Sequence, residues 1–252
     1  MKLTRKSFNR RIFAFGILIF ASISLVSTGF ATWVMSKNAN TKEEGEIVVG
    51  TITDGSISFV DESITISDTF RFNPKLNDTT GYIQYRPPVG VQDVNSQEAK
   101  LTAENLSVTI SGAITPSQYF DSLTIKMEEI SEGLVEAAKS NYIVLPECFT
   151  APVVLKKGDT GITEQEGKIN FTYIISFAWG SAFDGTNPSE YLDQLDDDGV
   201  TPKFEYEHCK SELIKFRRTL FSLDSTVNDS EVMKYNSSQL KYKISLTAAA
   251  IV

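Results

Sequence analysis

The sequence has 252 residues, of which 41% are hydrophobic and 11% aromatic, enough for one sizeable hydrophobic core. Its formal net charge is −8, and this becomes −13 when residues 1–31, with their five basic side chains, are left out. So acidic a body repels the phosphates of nucleic acid, which argues against nucleic acid as a partner and is typical of a soluble surface protein.

The N-terminus carries the parts of an export signal. Basic residues cluster before position 12, positions 12–36 carry no charge, and small residues, Gly29 and Ala31 among them, follow the most apolar stretch. We predict a signal peptide over residues 1–31 that signal peptidase removes after Ala31. The alternative is a retained membrane anchor over residues 12–36, because a helix of that length spans a hydrocarbon core of about 30 Å. In both cases the body is secreted or held at the cell surface, and only the N-terminal segment contacts the membrane.

Next come a polar spacer, residues 32–46, and a single domain, residues 47–252. In the domain, apolar and polar residues alternate with period two, which predicts strands with one buried and one solvated face. The apolar members are Ile57, Phe59, Ile64, Ile66, Phe70 and Phe72; Leu106, Val108 and Ile110; Ile169, Phe171, Tyr173, Ile175, Phe177 and Trp179; and Leu240, Tyr242, Ile244, Leu246 and Ala248. Many such strands between Gly, Asn, Asp and Pro turns favour a mostly β fold, an antiparallel β-sandwich or jelly roll with one or two inserted helices.

Two segments have helical rather than strand periodicity. Residues 132–139 predict a short helix, and residues 203–223 predict a longer one. The apolar stripe of the second helix consists of Cys209, Leu213, Phe216, Leu220 and Leu223, and its basic residues Lys210, Lys215, Arg217 and Arg218 are expected on the solvated face. Farther upstream, Asn187-Pro188 is expected to end an extended segment and to start a short helical turn.

The chain has two cysteines, Cys148 and Cys209. In an oxidising compartment two cysteines can form a disulfide, and the alternative is a pair of buried thiols. Sequence alone does not show whether the two side chains approach each other, so both alternatives stay open.

Calcium is the one metal for which the sequence offers ligands, although we expect no cofactor overall. Residues 194–205 place Asp196, Asp198 and Glu205 at positions 3, 5 and 12 of an EF-hand-like loop. Gln194 replaces the usual acid at position 1, which weakens such a site, and the alternative is a plain acidic turn. The only histidine, His208, excludes an HExxH helix and a three-histidine zinc site.

Catalytic motifs are missing from the sequence. There is no GxSxG elbow and no glycine-rich phosphate loop, and neither cysteine has a recognisable catalytic context. Residues 81–90 offer Tyr82 and Tyr85 as contacts for a sugar or another ligand, and the alternative is an edge strand that ends at Pro87-Pro88.

Three short segments resemble the camelysin/TasA-like exported proteins of Gram-positive bacteria. They are TGFATW (28–33), the spacer SKNANTKEEGE (36–46) and VVGTITDGSISF (48–59), which is similar to that family's first strand. The resemblance implies a jelly-roll domain, exported through a signal peptide, that often forms surface or biofilm-matrix fibres. It also implies that an N-terminal segment, here within residues 32–52, can add as a strand to a neighbouring subunit. Some members carry a metalloendopeptidase label, which no zinc-binding motif of this chain supports.

We therefore expect a non-enzymatic protein of the cell surface or biofilm matrix that acts by self-association or by binding surface and matrix components. The alternatives are an extracellular carbohydrate- or ligand-binding module and a secreted hydrolase.

Overall fold

The computed structural model describes residues 35–36, 46–52, 56–60, 63–75, 103–130, 132–233, 235, 240 and 242–251. In these residues the chain is mostly β, as the sequence predicted, with few and mostly short helices. The predicted cleavage residues Gly29 and Ala31, the predicted anchor except for Met35 and Ser36, and Tyr82 and Tyr85 lie outside the described residues.

Five strands form the first sheet, called sheet A. Its strand order is β1–β2–β12–β6–β8, and every neighbouring pair is antiparallel except β2 and β12. The bounds are β1 Met35–Ser36, β2 Glu46–Ile52, β6 Phe120–Glu129, β8 Val153–Lys156 and β12 Tyr242–Ala250.

The second sheet, sheet B, is antiparallel throughout. Its order is β3–β5–β10–β9, and β4 also pairs with β5. The bounds are β3 Ser58–Phe59, β4 Thr65–Ile66, β5 Ser107–Thr115, β9 Ile162–Gln165 and β10 Lys168–Ser176. A separate two-stranded sheet joins β7, Ile143–Val144, to β11, Ala178–Trp179.

Both sheets contribute their buried faces to one hydrophobic cluster. It includes Leu123, Ile125, Met127, Ile244 and Leu246 from sheet A, and Val108, Ile110, Ile114, Ile169, Phe171 and Ile175 from sheet B. The alternation predicted for β5, β10 and β12 is thereby confirmed, with Tyr173 only half-buried. Burial of these side chains on both sheets supplies the main favourable term in folding.

One glycine on the buried face of β5 makes room for an aromatic ring. Gly112 lies opposite Phe171 in the β5–β10 register. A Cβ atom at Gly112 would stand only 2.6 Å from the Phe171 ring and 3.0 Å from Ile64. The ring therefore fills the space above the glycine, so that the strand weakness of a glycine is offset by aromatic packing.

The described helices are α1 Gly133–Lys139, α2 Glu147–Thr150, α3 Pro188–Leu192, α4 Tyr206–Leu220 and α5 Asp229–Val232. The two predicted helices correspond to α1 and α4, and the turn predicted after Asn187 is α3. Gly133 lets α1 approach the end of α4, because a Cβ atom there would stand 1.9 Å from the carbonyl oxygen of Leu220. Four residues of the predicted α4 stripe, Cys209, Leu213, Phe216 and Leu220, are buried.

The prediction that Arg217 lies on the solvated face of α4 is wrong, because its side chain is only 5% exposed. The chain after α4 folds back over this part of the helix, and the Arg217 guanidinium donates to the main-chain carbonyls of Met233, at 3.2 Å, and Tyr235. The next residue, Arg218, donates in the same way to Asp224 and Val227, at 2.8 and 2.6 Å. Arg217 therefore holds the returning chain instead of facing solvent, whereas Arg218 holds it and stays partly exposed.

Candidate functional site

A parallel strand pair brings together the first and the last parts of the described body. Residues 46–52 (β2) run beside the C-terminal strand β12, from Glu46 opposite Lys243 to Ile52 opposite Ala248. The register shifts once, between Leu246 and Thr247. No other strand pair among the described residues is parallel.

The position of β12 makes this pairing important for the fold. On its other side, β12 pairs with β6 along its whole length, and Ile244, Leu246 and Ala248 are almost completely buried. If β2 left this position, the N–H and C=O groups along one edge of β12 would lose their partners. An unpaired edge beside a buried core is a template for another strand.

Part of the predicted polar spacer also joins sheet A. The two residues of β1, Met35 and Ser36, pair antiparallel with Val49 and Val48 of β2. The N-terminal part of the body is thus a short hairpin-like unit whose β2 strand contacts the rest of sheet A through β12.

The predicted calcium loop is a tight turn. Its two ends are bridged at Leu195 and Pro202, and the Asp196 N–H donates to the Thr201 carbonyl at 2.8 Å. The Asp198 carboxylate accepts from the N–H groups of Val200 and Thr201 at 2.9 and 2.7 Å and from the Thr201 hydroxyl. These hydrogen bonds hold the pKa of Asp198 below its ordinary value.

The same loop does not collect a set of calcium ligands in this structure. The third predicted ligand, Glu205, comes just before the first residue of α4. Within the described ranges, no three acidic, histidine or cysteine side chains form a group that can hold a metal ion. The acidic-turn alternative accounts for the hydrogen bonds that are seen, and calcium binding stays an untested prediction.

Both cysteines are free, buried thiols, which is the second of the two alternatives for Cys148 and Cys209. Cys148 belongs to the main core, and its burial raises the pKa of the thiol to about 11. Cys209 belongs to a separate small cluster with Leu192 and Leu213, and its thiol donates to the Leu192 carbonyl at 3.3 Å. A thiol with a raised pKa is largely protonated at neutral pH and is a poor nucleophile.

The sole histidine makes no catalytic arrangement with these groups. His208 is exposed, and its ring stacks on Phe204 with the ring centres 5.1 Å apart. His208 is therefore a surface residue of α4.

A buried polar network lies where sequence reasoning found only a helical turn. Asn187 is 3% exposed, and its side-chain oxygen accepts from the Ser189 N–H at 3.0 Å, which caps α3, and from the Lys75 N–H at 3.2 Å. Its amide nitrogen donates to the Asn73 carbonyl at 3.2 Å and to the Glu104 carboxylate.

This network, the Asn187 clamp, ties together the two ends of segment 76–102. Lys75 and Asn73 precede that segment, and Glu104 follows it. The indole N–H of Trp179 also donates to the Glu104 carboxylate, at 2.9 Å. Asn-Pro marks the start of a helix in the sequence, but no local signal reports that residues 114 positions apart meet there.

Neither known proteins nor the described helices give further information on the function. No protein-family model matches the sequence, and no curated protein and no solved structure matches it either. Among the helices that the structure describes, none is long and apolar enough to cross a membrane.

Proposed function

We propose that this chain is an exported protein of the cell surface or matrix that works by self-association and has no catalytic role. The observation that carries the proposal is the pairing of β2 with β12. A strand that completes sheet A within its own chain has the backbone groups to complete sheet A of a second copy in the same register. Such an exchange of identical elements joins copies at little energetic cost.

We also propose that sheets A and B face each other as a β-sandwich of jelly-roll type. The single hydrophobic cluster shared by the buried faces of both sheets supports this arrangement. In a sandwich, each outer face stays solvated, and β2, which only the two-residue strand β1 separates from the edge of sheet A, can exchange without opening the core.

The test locks β2 onto its own β12. Val48 and Ser245 are opposite each other in the parallel register, and neighbouring strands bring Cα atoms within the range that a disulfide requires. The variant Val48→Cys with Ser245→Cys is made in the full coding sequence, and the recovered protein is examined by sedimentation velocity over a range of concentrations. We expect the oxidised variant to stay monomeric or dimeric and the same protein, once reduced, to form larger assemblies.

The reduced sample is the matched control, because it has the same two substitutions. The native thiols are buried and therefore react slowly. Equal assembly of the oxidised and reduced forms would show that β2 exchange is not the route. A parent protein that remains monomeric at every concentration would overturn self-association itself.

A further inference from the structure

The outward face of sheet B is covered by hydroxyl side chains. On β5 the outward positions include Ser107, Thr109, Ser111 and Thr115, and on β10 they include Thr172 and Ser176. The pairing register places Ser107 opposite Ser176 and Ser111 opposite Thr172, and their hydroxyl oxygens are 2.8 and 3.4 Å apart. We call this surface, with Ile174 at its centre, the hydroxyl face.

The hydroxyl face differs from the rest of the protein in charge. Of the outward side chains described on β5 and β10, Lys168 alone is charged, and none is a carboxylate. The outward face of sheet A, in contrast, carries the ion pair of Lys126 and Glu128 together with Lys156 and Lys243. Two copies of a body with a net charge of −13 repel each other, and a contact between two hydroxyl faces places no carboxylate of β5 or β10 against another.

An exposed isoleucine lies within this neutral surface. Ile174 is 60% exposed, lies opposite Thr109, and is flanked along β10 by Thr172 and Ser176. β9 pairs with β10 only as far as Phe171, so Ile174 also lies beside a stretch of β10 with no β9 partner. A β-branched apolar residue beside an edge that no described strand covers is the kind of position that promotes contact between sheets.

The small size of the surrounding side chains allows close contact. Serine and threonine project only a short distance, so two such sheets can stack at about the 10 Å spacing of packed sheets. Each hydroxyl is both a donor and an acceptor, so it can hydrogen-bond to the same group of a second copy. The surface is therefore self-complementary, as a two-fold contact requires.

We propose that a second copy of this chain docks on the hydroxyl face, with sheet B stacked on sheet B and Ile174 in the contact. This proposal rests on self-association as the proposed function but uses a different sheet from the β2–β12 exchange. Strand exchange through sheet A joins copies end to end, and stacking through sheet B joins the resulting rows side by side.

The test introduces a carboxylate into the face. The Ile174→Glu variant places like charges against each other across the two-fold contact, and the matched control is Val154→Glu. Val154 is also β-branched, 49% exposed and on a strand, but it lies on β8 at the edge of sheet A. With the full coding sequence expressed, we expect Ile174→Glu to weaken side-by-side association by at least about tenfold. We expect Val154→Glu to behave like the parent in sedimentation velocity and in the width of assemblies under the electron microscope.

The outcomes separate the two proposals. If the parent and Ile174→Glu assemble equally well and to the same width, the hydroxyl face is not the docking surface, while self-association stands. If the parent does not assemble at all, both proposals fail. If the parent stays monomeric but sediments with insoluble neutral polysaccharide, and Ile174→Glu does not, the face binds a glycan rather than a second copy.

Discussion

Asn187 and Asn228 have the same local role in very different surroundings. Each is the N-cap of a short helix, and each side-chain oxygen accepts a main-chain N–H, from Ser189 at 3.0 Å and from Glu231 at 2.9 Å. Asn228 is exposed, whereas Asn187 is buried and also holds both ends of segment 76–102. Both residues cap a helix. A difference in stability between their alanine variants therefore reports the contribution of the buried contacts that only Asn187 makes.

We predict that Asn187→Ala lowers the free energy of unfolding more than Asn228→Ala does. Loss of the Asn228 cap should cost about 1 kcal/mol. Loss of Asn187 should cost about 2–4 kcal/mol, because it also leaves buried groups without their hydrogen-bond partner. Denaturant unfolding of both variants checks this, and equal losses would show that the buried contacts contribute nothing beyond the cap.

Glu129 and its neighbour Glu128 should respond oppositely to pH. The Glu129 carboxylate caps α1 by accepting from the N–H groups of Leu134 and Val135. Burial raises the pKa of Glu129, and these hydrogen bonds offset the rise only in part. The pKa of Glu128, which is half-exposed, is lowered by its hydrogen bond and ion pair with Lys126.

Whether stability rises or falls with pH depends on which state, folded or unfolded, holds the proton of Glu129 more tightly. A raised pKa in the folded state means that the contribution of Glu129 to stability is present below its unfolded pKa and is lost as pH rises through its folded value. We predict that stability falls less between about pH 4 and pH 7 in Glu129→Gln than in the parent. Glu128→Gln is the control and should shift the pH dependence weakly in the other direction. Urea unfolding at a series of pH values measures both, and parallel curves for the parent and Glu129→Gln would contradict the assignment.

Among the elements, the Asn187 clamp holds the described chain at the two ends of segment 76–102. Besides the clamp, Arg71 and Asn105 exchange two main-chain hydrogen bonds, at 2.7 and 2.9 Å, close to the same two ends. The Arg71 guanidinium also donates to the Ala103 carbonyl at 3.1 Å. The described body therefore closes this junction with its own contacts.

We predict that a Gly/Ser linker of about four residues can replace residues 76–102 without unfolding the body. The thermal unfolding midpoint should change by only a few degrees, because the Arg71–Asn105 hydrogen bonds and the Asn187 clamp hold the two ends of the deletion together. The same deletion combined with Asn187→Ala should be much less stable. Aggregation or loss of cooperative unfolding in the first variant alone would contradict the prediction. The deletion also removes Tyr82 and Tyr85, so a glycan array with both proteins tests the ligand-binding alternative.

Elements with a strong period were the predictable ones. β10 and β12 alternate over nine residues each and α4 repeats its apolar residues over four turns, so local pattern was sufficient for them. β6 carries the same signal in Leu123, Ile125 and Met127 and is predictable in the same way.

A local sequence pattern does not show which distant residues each element contacts. The parallel neighbour of β12, the burial of Arg217 and the meeting of Asn73 with Asn187 all depend on contacts between distant parts of the chain. From the helical period alone, a charged residue such as Arg217 is expected in solvent. It is buried because the chain that returns after α4 provides main-chain carbonyls that accept its hydrogen bonds. The proposed self-association surfaces belong to this class, because they depend on strand order and on charge across a whole face.

At the scale of the whole molecule, the proposal depends on where the mature chain begins. We predict that protein recovered from the culture medium starts at Thr32, as expected for cleavage after Ala31. Replacement of Ala31 by Leu should block cleavage and move the protein into the membrane fraction. N-terminal sequencing of both fractions measures this, with Thr32→Leu as a control outside the small-x-small end. An intact N-terminus on protein from both fractions would support the membrane-anchor alternative instead.

The neighbours β2 and β12 are made at opposite ends of synthesis. Lys243 follows its partner Glu46 by about 200 residues, which at roughly 5–20 residues per second is an interval of about ten to forty seconds. Throughout that interval β2 exists while its own β12 does not. If β2 exchanges as proposed, a β12 strand that it meets among crowded growing chains before its own is made belongs to an older copy. Under the same proposal, the density of neighbouring chains decides whether β2 pairs with another copy or with its own β12.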